Sequence, residues 1–258
     1  LTGYTVRNAF HHHFDYIDKY YTPFIPAAKR MNAKIKRDID PLNNDGITLI
    51  PQAMSIVADE VIDLHRQLVP YGYDEINVNL GCPSGTVVSK KRGSGILAYP
   101  DMLDSFLDEL YTKADFPVSI KTRVGFNDDE LWPRLIEIYS KYPISELTVH
   151  PRVQKDFYKN TPRMDDFALA MQKINPDKTI LCYNGDITDT NSFNALTDCF
   201  PDIDEIMIGR GLFANPALIA ELKGISMDKA ELRERLKNWH DEILSGYLSI
   251  FSGEKDAA

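Results

Sequence analysis

Short runs of β-branched and aromatic residues recur along the chain at 20–25, 47–52, 75–80, 116–121, 146–150, 179–183 and 205–208. Between them lie longer segments whose apolar residues return at helical spacing, at 55–68, 102–112, 129–141 and 164–173. This alternation predicts repeated βαβ units and a parallel sheet with helices packed against it. Several strands end in residues able to do chemistry: Gln52, then Asn79 and Cys82, Lys121, His150, the Asn184-Gly185-Asp186 turn, and the Gly209-Arg210-Gly211 turn. In a doubly wound sheet function gathers at one switch point, whereas in a (β/α)8 barrel nearly every strand can bring its C-terminal end to one site. The expected architecture is therefore an α/β fold of the TIM-barrel type. Seven strands are counted where a closed barrel needs eight. The first is expected to precede Leu1, with Thr2-Gly3 as the first βα loop and 5–14 as the first helix. Beyond Asn215 no further strand is predicted, and 228–248 reads as one or two amphipathic helices with Leu232, Leu236, Trp239 and Ile243 at helical spacing. The expected division is a barrel catalytic domain at 1–223 and the beginning of a C-terminal all-helical domain at 224–258.

Composition narrows the class without changing that picture. The 258 residues, 43% hydrophobic, 10% aromatic and 26% charged, are ordinary for a globular protein. Cys82, Cys182 and Cys199 are too few and too scattered for a disulfide scaffold or a CxxC metal pattern. No apolar run approaches the ~20 residues that span a bilayer, and the first residues lack a basic-then-apolar leader. A soluble, cytoplasmic monomer with no membrane partner is expected. The net charge of -9 taken alone disfavours a polyanionic partner.

The candidate chemistry centres on Asn79-Leu80-Gly81-Cys82-Pro83. Gly81 permits backbone conformations closed to other residues and Pro83 biases Cys82 towards extended geometry, so the thiol is held at a strand end. A cysteine there can equally be a small buried hydrophobe. Asn184-Gly185-Asp186 and Gly209-Arg210-Gly211 follow the last two strands, where barrels commonly bind phosphate through backbone N–H groups and a cation, although each alone also reads as a plain turn. Lys121 closes an apolar run, an expensive place for a charge unless it serves a site, and His150 closes another. Gln52 can offer its amide to a heterocycle or cap a neighbouring strand. The run His11-His12-His13 is expected to be a half-exposed helix rather than a metal site, because adjacent helical residues point ~100° apart and do not converge on one ion. No metal is expected.

Together, the segments Leu1-Thr2-Gly3-Tyr4-Thr5-Val6-Arg7, Asn77-Val78-Asn79-Leu80-Gly81-Cys82-Pro83, Val118-Ser119-Ile120-Lys121-Thr122-Arg123, Thr148-Val149-His150-Pro151-Arg152, Asn184-Gly185-Asp186-Ile187 and Ile208-Gly209-Arg210-Gly211 resemble the tRNA-dihydrouridine synthases in unchanged order. The Asn-Leu-Gly-Cys-Pro element is the most specific of them, while Gly-Arg-Gly is shared with many FMN barrels. The resemblance implies a flavin-dependent oxidoreductase: an FMN-binding (β/α)8 barrel followed by a helical tRNA-binding domain. It would reduce the C5–C6 double bond of selected uridines in tRNA, with NADPH as reductant. Carried over by motif, Cys82 would be the general acid at C5. Gln52, Lys121, His150, Asn184, Gly185, Asp186, Gly209 and Arg210 would bind FMN, and Asn79 would lie near the target base. A free thiol, with a pKa of ~8.5, is protonated at neutral pH and suited to that donation. The alternatives are an FMN barrel acting on a free pyrimidine, similar to dihydroorotate dehydrogenase, and a tRNA-binding barrel without catalysis.

An RNA partner is compatible with a net charge of -9 only if the cations are clustered. Cations gather in three loops: Lys90, Lys91 and Arg92 with no acid nearby in sequence, then Lys121 with Arg123, then Arg152, Lys155, Lys159 and Arg163 against Asp156. A basic rim on an acidic body is expected, with Lys90, Lys91, Arg92, Arg123 and Arg152 facing tRNA.

Overall fold

A computed structural model describes residues 3–27 and 30–254. Leu1 and Thr2, which begin the first matching motif and the expected first loop, lie outside the described residues, as do residues 255–258. Among the described residues there are nine strands, all paired in parallel: β1 (Tyr20–Tyr21), β2 (Ile25–Pro26), β3 (Leu49–Ile50), β4 (Gln52–Met54), β5 (Ile76–Leu80), β6 (Val118–Gly125), β7 (Glu146–Val153), β8 (Ile180–Tyr183) and β9 (Glu205–Ile206). Seven pair in the order β2-β4-β5-β6-β7-β8-β9, and β1 pairs with β3. The partner offset changes by one residue between Tyr20↔Leu49 and Ile25↔Ala53. Hence β1 with β2, and β3 with β4, are each one barrel strand interrupted by a bulge. The seven predicted strands are therefore present, in sequence order, in the TIM-barrel arrangement. Among the described residues β2 and β9 are the two edges.

Helices cover the outer face. Ala58–Leu68, Pro100–Lys113, Trp132–Tyr139, Met164–Lys173 and Thr190–Cys199 each follow a strand. Their apolar stripes meet the outward residues Ile76, Val78, Leu80, Val118, Ile120, Leu147 and Val149 in one continuous core. Alternate residues of the same strands point into the barrel. Those are polar: Asn77, Ser119 and Thr148 are fully buried there.

Two expected strand ends are corrected. Lys121 and His150 lie inside β6 and β7, which run on to Gly125 and Val153. The strands continue past these polar residues because the next inward side chains, Arg123 and Arg152, find protein acceptors. Register shifts between Arg123 and Gly125 opposite His150 and Val153. Pro151, which has no N–H to give to a ladder, falls in that irregularity.

After the last strand come the helices Arg210–Ala214, Leu218–Leu222 and Lys229–Glu254. The last is a single helix that returns to pack on the first, Tyr4–His13: Trp239 lies edge-on to Phe10 with ring centroids 5.3 Å apart. His12 Nδ1 and His13 Nε2 each lie 2.8 Å from a different oxygen of Glu242 on that helix. Divergent neighbours on a helix thus do converge here, on the two ends of one carboxylate. Among the described residues no helix is long and apolar enough to cross a membrane.

Candidate active site

The inward ends of the strands open into a cavity of about 750 Å³, lined by Gln52, Asn79, Cys82, Lys121, His150, Asn184, Gly185, Asp186, Gly209 and Arg210 among others. Every catalytic and cofactor-binding candidate from the sequence thus reaches one space. The volume is within the range of small-molecule and cofactor sites.

A chain of side-chain amides forms its floor. Asn79 Nδ2 donates to Gln52 Oε1 (2.7 Å), Gln52 Nε2 donates to Asn77 Oδ1 (2.9 Å), and Asn77 Nδ2 donates to Ser119 Oγ (3.1 Å). Gln52 therefore has one Nε2 hydrogen and one lone pair left for a ligand. Asn79 Oδ1 accepts from the backbone N–H of both Gly81 (3.1 Å) and Cys82 (2.9 Å). This is an Asx turn, and it aims Cys82 rather than leaving the Asn79 oxygen open to substrate. From below, the Cys82 carbonyl accepts from Ser94 N (3.1 Å) and Ser94 Oγ (2.9 Å). Gly93 has φ +54°, and a Cβ there would stand 2.7 Å from the Cys82 oxygen, so only glycine fits beneath the thiol-bearing residue.

Lys121 stands beside Asn79 in the β5–β6 register and beside Thr148 in the β6–β7 register. Its amine has no hydrogen-bond or ion-pair partner among the described residues. Burial, with the Arg123 charge added, pushes its pKa down to about 8. His150 is pushed much further down, to about 2, by burial and then by Lys121, Arg123, Arg152 and Arg210. It is a neutral ring in a cationic wall.

At the far side of the cavity the two glycine-containing turns face each other. Asn184 Nδ2 donates to Met207 O (2.9 Å), and Arg210 Nη2 donates to Asp186 Oδ1 (2.7 Å). Asp186 also holds Arg152, which lowers its pKa, chiefly through that hydrogen bond. A carboxylate engaged by two arginines is in place to aim Arg210, which is itself exposed. Around Gly209 an added Cβ would meet nothing within 4 Å, so this stretch of backbone is open to close approach.

The residues present fit FMN on two counts internal to this structure. An unpaired ammonium inside a cavity calls for an anionic or strongly accepting partner, and Gly209 with Arg210 leaves open backbone next to a cation on the same wall.

The basic rim is corrected in its membership. Arg123 is 2% exposed and donates to Gly81 O (3.0 Å), Val153 O (3.0 Å) and Phe157 O (2.8 Å). Arg152 is 1% exposed and donates to Lys159 O, Asn160 O, His150 Nε2 and Asp186. Neither faces a macromolecule; both tie the loop after β7 to the barrel. Arg92 pairs with Glu60 (3.1 Å), Lys91 lies over the Tyr99 ring (4.4 Å), and Arg163 pairs with Asp129 and Asp156. Of the expected rim cations, Lys90, Lys91, Lys155 and Lys159 are exposed. Asn77, Ser119 and Tyr158 were not anticipated from the sequence, although Asn77 and Ser119 occupy the polar alternate positions of β5 and β6.

At the opposite end of the barrel, Lys19 Nζ lies 2.6 Å from Glu146 and 3.4 Å from Glu205, with the Cys182 thiol alongside. This trio, the single His/Cys/Asp/Glu group of metal-holding spacing among the described residues, already has an ammonium in it.

Comparison with known proteins gives a consistent result. Residues 5–245 match the family described as dihydrouridine synthase (Dus). The probable tRNA-dihydrouridine synthase of Staphylococcus aureus (strain N315) is 32% identical over 195 residues, which cover 74% of this chain and 56% of that protein. The tRNA-dihydrouridine synthase B of Pasteurella multocida (strain Pm70) is 29% identical over 168 residues, 65% of this chain and 49% of that one. The chain thus spans about half the length of these curated relatives. Among solved structures, a variant of NCR from Zymomonas mobilis superposes with a TM-score of 0.58 at 11% identity, covering 91% of this chain and 84% of that one. Likeness at that identity concerns the fold alone.

Proposed function

Because this chain belongs to the dihydrouridine synthase (Dus) family, we propose that it is the catalytic part of a flavin-dependent oxidoreductase that reduces the C5–C6 double bond of selected uridines in tRNA to 5,6-dihydrouridine. The observation that carries this reading is the fixing of Cys82 by the Asn79 carboxamide in the same cavity as Lys121 and His150. In this reading residues 1–223 are the catalytic barrel and 224–258 begin a helical tRNA-binding domain, acting in the cytoplasm.

FMN would be held by Lys121 and His150 on one wall, by Gln52 at the floor, and by Gly185, Gly209 and Arg210 at the phosphate end. When bound, it supplies two-electron chemistry, passing reducing equivalents from NADPH to the pyrimidine. The chain's own residues do the rest. Cys82, its backbone N–H clamped by Asn79, holds a proton on Sγ and delivers it to C5 of the uracil ring as negative charge develops there. Lys121, short of a protein partner, stabilises accumulating negative charge in a site from which water is displaced. His150 donates from Nδ1, since its Nε2 already accepts from Arg152. The exposed Lys90, Lys91, Lys155 and Lys159 meet RNA phosphates.

A uridine inside a folded tRNA must leave its stack to enter such a cavity. The deciding experiment is to incubate flavin-loaded full-length protein with unmodified tRNA and NADPH and to map by mass spectrometry any uridine that gains two hydrogens. A gain at defined positions is expected. NADPH-dependent reduction of a free pyrimidine such as orotate, with no gain on any tRNA, overturns the reading.

A further inference from the structure

Every backbone polar group of the thiol-bearing turn at 81–83 is taken up by a side chain outside it. The Gly81 and Cys82 N–H groups both reach Asn79 Oδ1 (3.1 and 2.9 Å), and Pro83 has no N–H to place. The three carbonyls go to three different side chains. Gly81 O accepts from Arg123 Nε (3.0 Å), Cys82 O from Ser94 Oγ (2.9 Å) and Pro83 O from Gln154 Nε2 (3.0 Å). A turn at a cavity rim can leave its carbonyls to water; this one leaves none.

Gln154 stands apart from the other partners. Arg123 and Ser94 are buried and serve the fold as well, whereas Gln154 is half-buried, and among the described residues its side chain makes no other hydrogen bond. It opens a single helical turn, Gln154–Asp156, directly after β7. Arg123 donates to Val153 O (3.0 Å) and Phe157 O (2.8 Å) on either side of that turn, and Gln154 O accepts from Phe157 N (3.1 Å). The amide is thus presented from a fixed backbone, 71 residues along the chain from its acceptor. A bond across that separation does nothing for local structure. It ties down the far side of Cys82.

Beyond Pro83 the chain runs out into exposed residues 84–86. Asn79 and Arg123 fasten the turn upstream of the thiol and Ser94 fastens it from below. Among the described residues Gln154 is the side chain that holds its downstream end. The proline ring fixes φ at Pro83, so a displaced Pro83 carbonyl carries the Cys82 end of that unit with it.

We propose that Gln154 is a positioning residue for the proton donor: by holding the Pro83 carbonyl it keeps the Cys82 thiol aimed at the reacting carbon. This rests on the functional reading above. A donor group must sit within a fraction of an ångström of its productive place, and side chains that touch no substrate commonly hold it there.

The test uses flavin-loaded full-length protein with Gln154→Leu, Gln154→Glu and Gln154→Arg, the first also combined with Cys82→Ala. It reads the single-turnover rate of dihydrouridine formation from pre-reduced protein, the Kd for unmodified tRNA, and bound flavin by absorbance. Gln154→Leu and the near-isosteric Gln154→Glu, which both lack the N–H donor, are expected to slow the reaction about tenfold with tRNA affinity and flavin content unchanged. Gln154→Arg, which keeps a donor, is expected to restore the rate. In the Cys82→Ala background Gln154→Leu is expected to cost nothing further, because the group it aims is gone. Equal slowing in both backgrounds, an unslowed Gln154→Leu, or loss of flavin in step with the rate overturns the positioning role. Parent protein that forms no dihydrouridine, or Cys82→Ala as fast as the parent, overturns the functional reading along with it.

Discussion

Arg152 Nη1 lies 3.1 Å from His150 Nε2. A guanidinium can only donate, so His150 must present a lone pair at Nε2 and carry its proton on Nδ1. Burial and four surrounding cations hold the ring far below its ordinary pKa, so the folded chain binds fewer protons at this site than the unfolded chain. Acidification below about 6.5 therefore destabilises the fold through this residue. In 15N-resolved NMR spectra, His150 is expected to stay neutral in the Nδ1–H form from pH 8 down to pH 5. A midpoint near 6.5 would contradict the contact.

Replacing Cys82 separates its chemistry from its packing. Its neighbours hold its backbone rather than its sulfur, so Cys82→Ala is expected to fold and retain flavin. Loss of a positioned proton donor is expected to slow dihydrouridine formation about 10²–10⁴-fold. Single-turnover reaction with pre-reduced protein and tRNA checks this, and an unslowed rate would remove Cys82 from the acid role.

Lys121 gives a pH signature in the flavin-free protein. Its pKa falls from the ordinary 10.5 to about 8 in the folded chain. Between those two values the unfolded chain binds more protons, so stability rises with pH across that window. Below pH 8 the buried ammonium is a burden. Lys121→Met is expected to raise the Tm of the flavin-free protein by ~2–4 °C at pH 7, with the gap closing by pH 10, and to weaken FMN binding. Affinity of the parent chain for FMN is expected to fall as pH rises through 8, and the variant's to stay flat. Thermal scans and flavin titrations at pH 7, 8.5 and 10 check both.

The strand count, the order of the strands and the convergence of the candidate residues were all legible because each depends on local pattern: apolar runs of strand length, and chemistry at their ends. What escaped was set by contacts distant in sequence. Arg123 and Arg152 look like rim cations in the sequence, yet their acceptors, the carbonyls of Gly81, Phe157, Lys159 and Asn160, exist only once the loops fold against them. The same internal pairing lets β6 and β7 run past Lys121 and His150. One local signal was available. In Ile76-Asn77-Val78-Asn79-Leu80 and Val118-Ser119-Ile120-Lys121-Thr122-Arg123, polar residues occupy every second position of strands that are buried on both faces. Parallel strands so placed are usually apolar throughout; a polar alternate row therefore marks the barrel interior and the floor of its site.

The opposite end of the barrel carries the remaining prediction. Glu205 sits close to the nearly inaccessible Glu146, and Lys19 bridges the two. Burial, with the neighbouring Glu146, pushes the Glu205 carboxyl above its ordinary range, while the hydrogen bonds from Lys19 and Thr148 keep Glu146 below it. Since the folded chain holds the Glu205 proton more tightly than the unfolded chain, stability from this group is present at low pH and is lost as pH rises through the raised value. Glu205→Gln removes the second negative charge while leaving Lys19 paired with Glu146. The variant is expected to match the parent near pH 4 and to exceed its Tm by ~2–4 °C at pH 7.5. Glu146→Gln should do the reverse, because it strips Lys19 of its closer partner and leaves the neutral amide buried against Tyr21, whose hydroxyl donates to Glu146. Paired thermal scans of the two variants across pH 4–8 check the sign: equal shifts in both would mean that the two carboxylates carry the charge interchangeably.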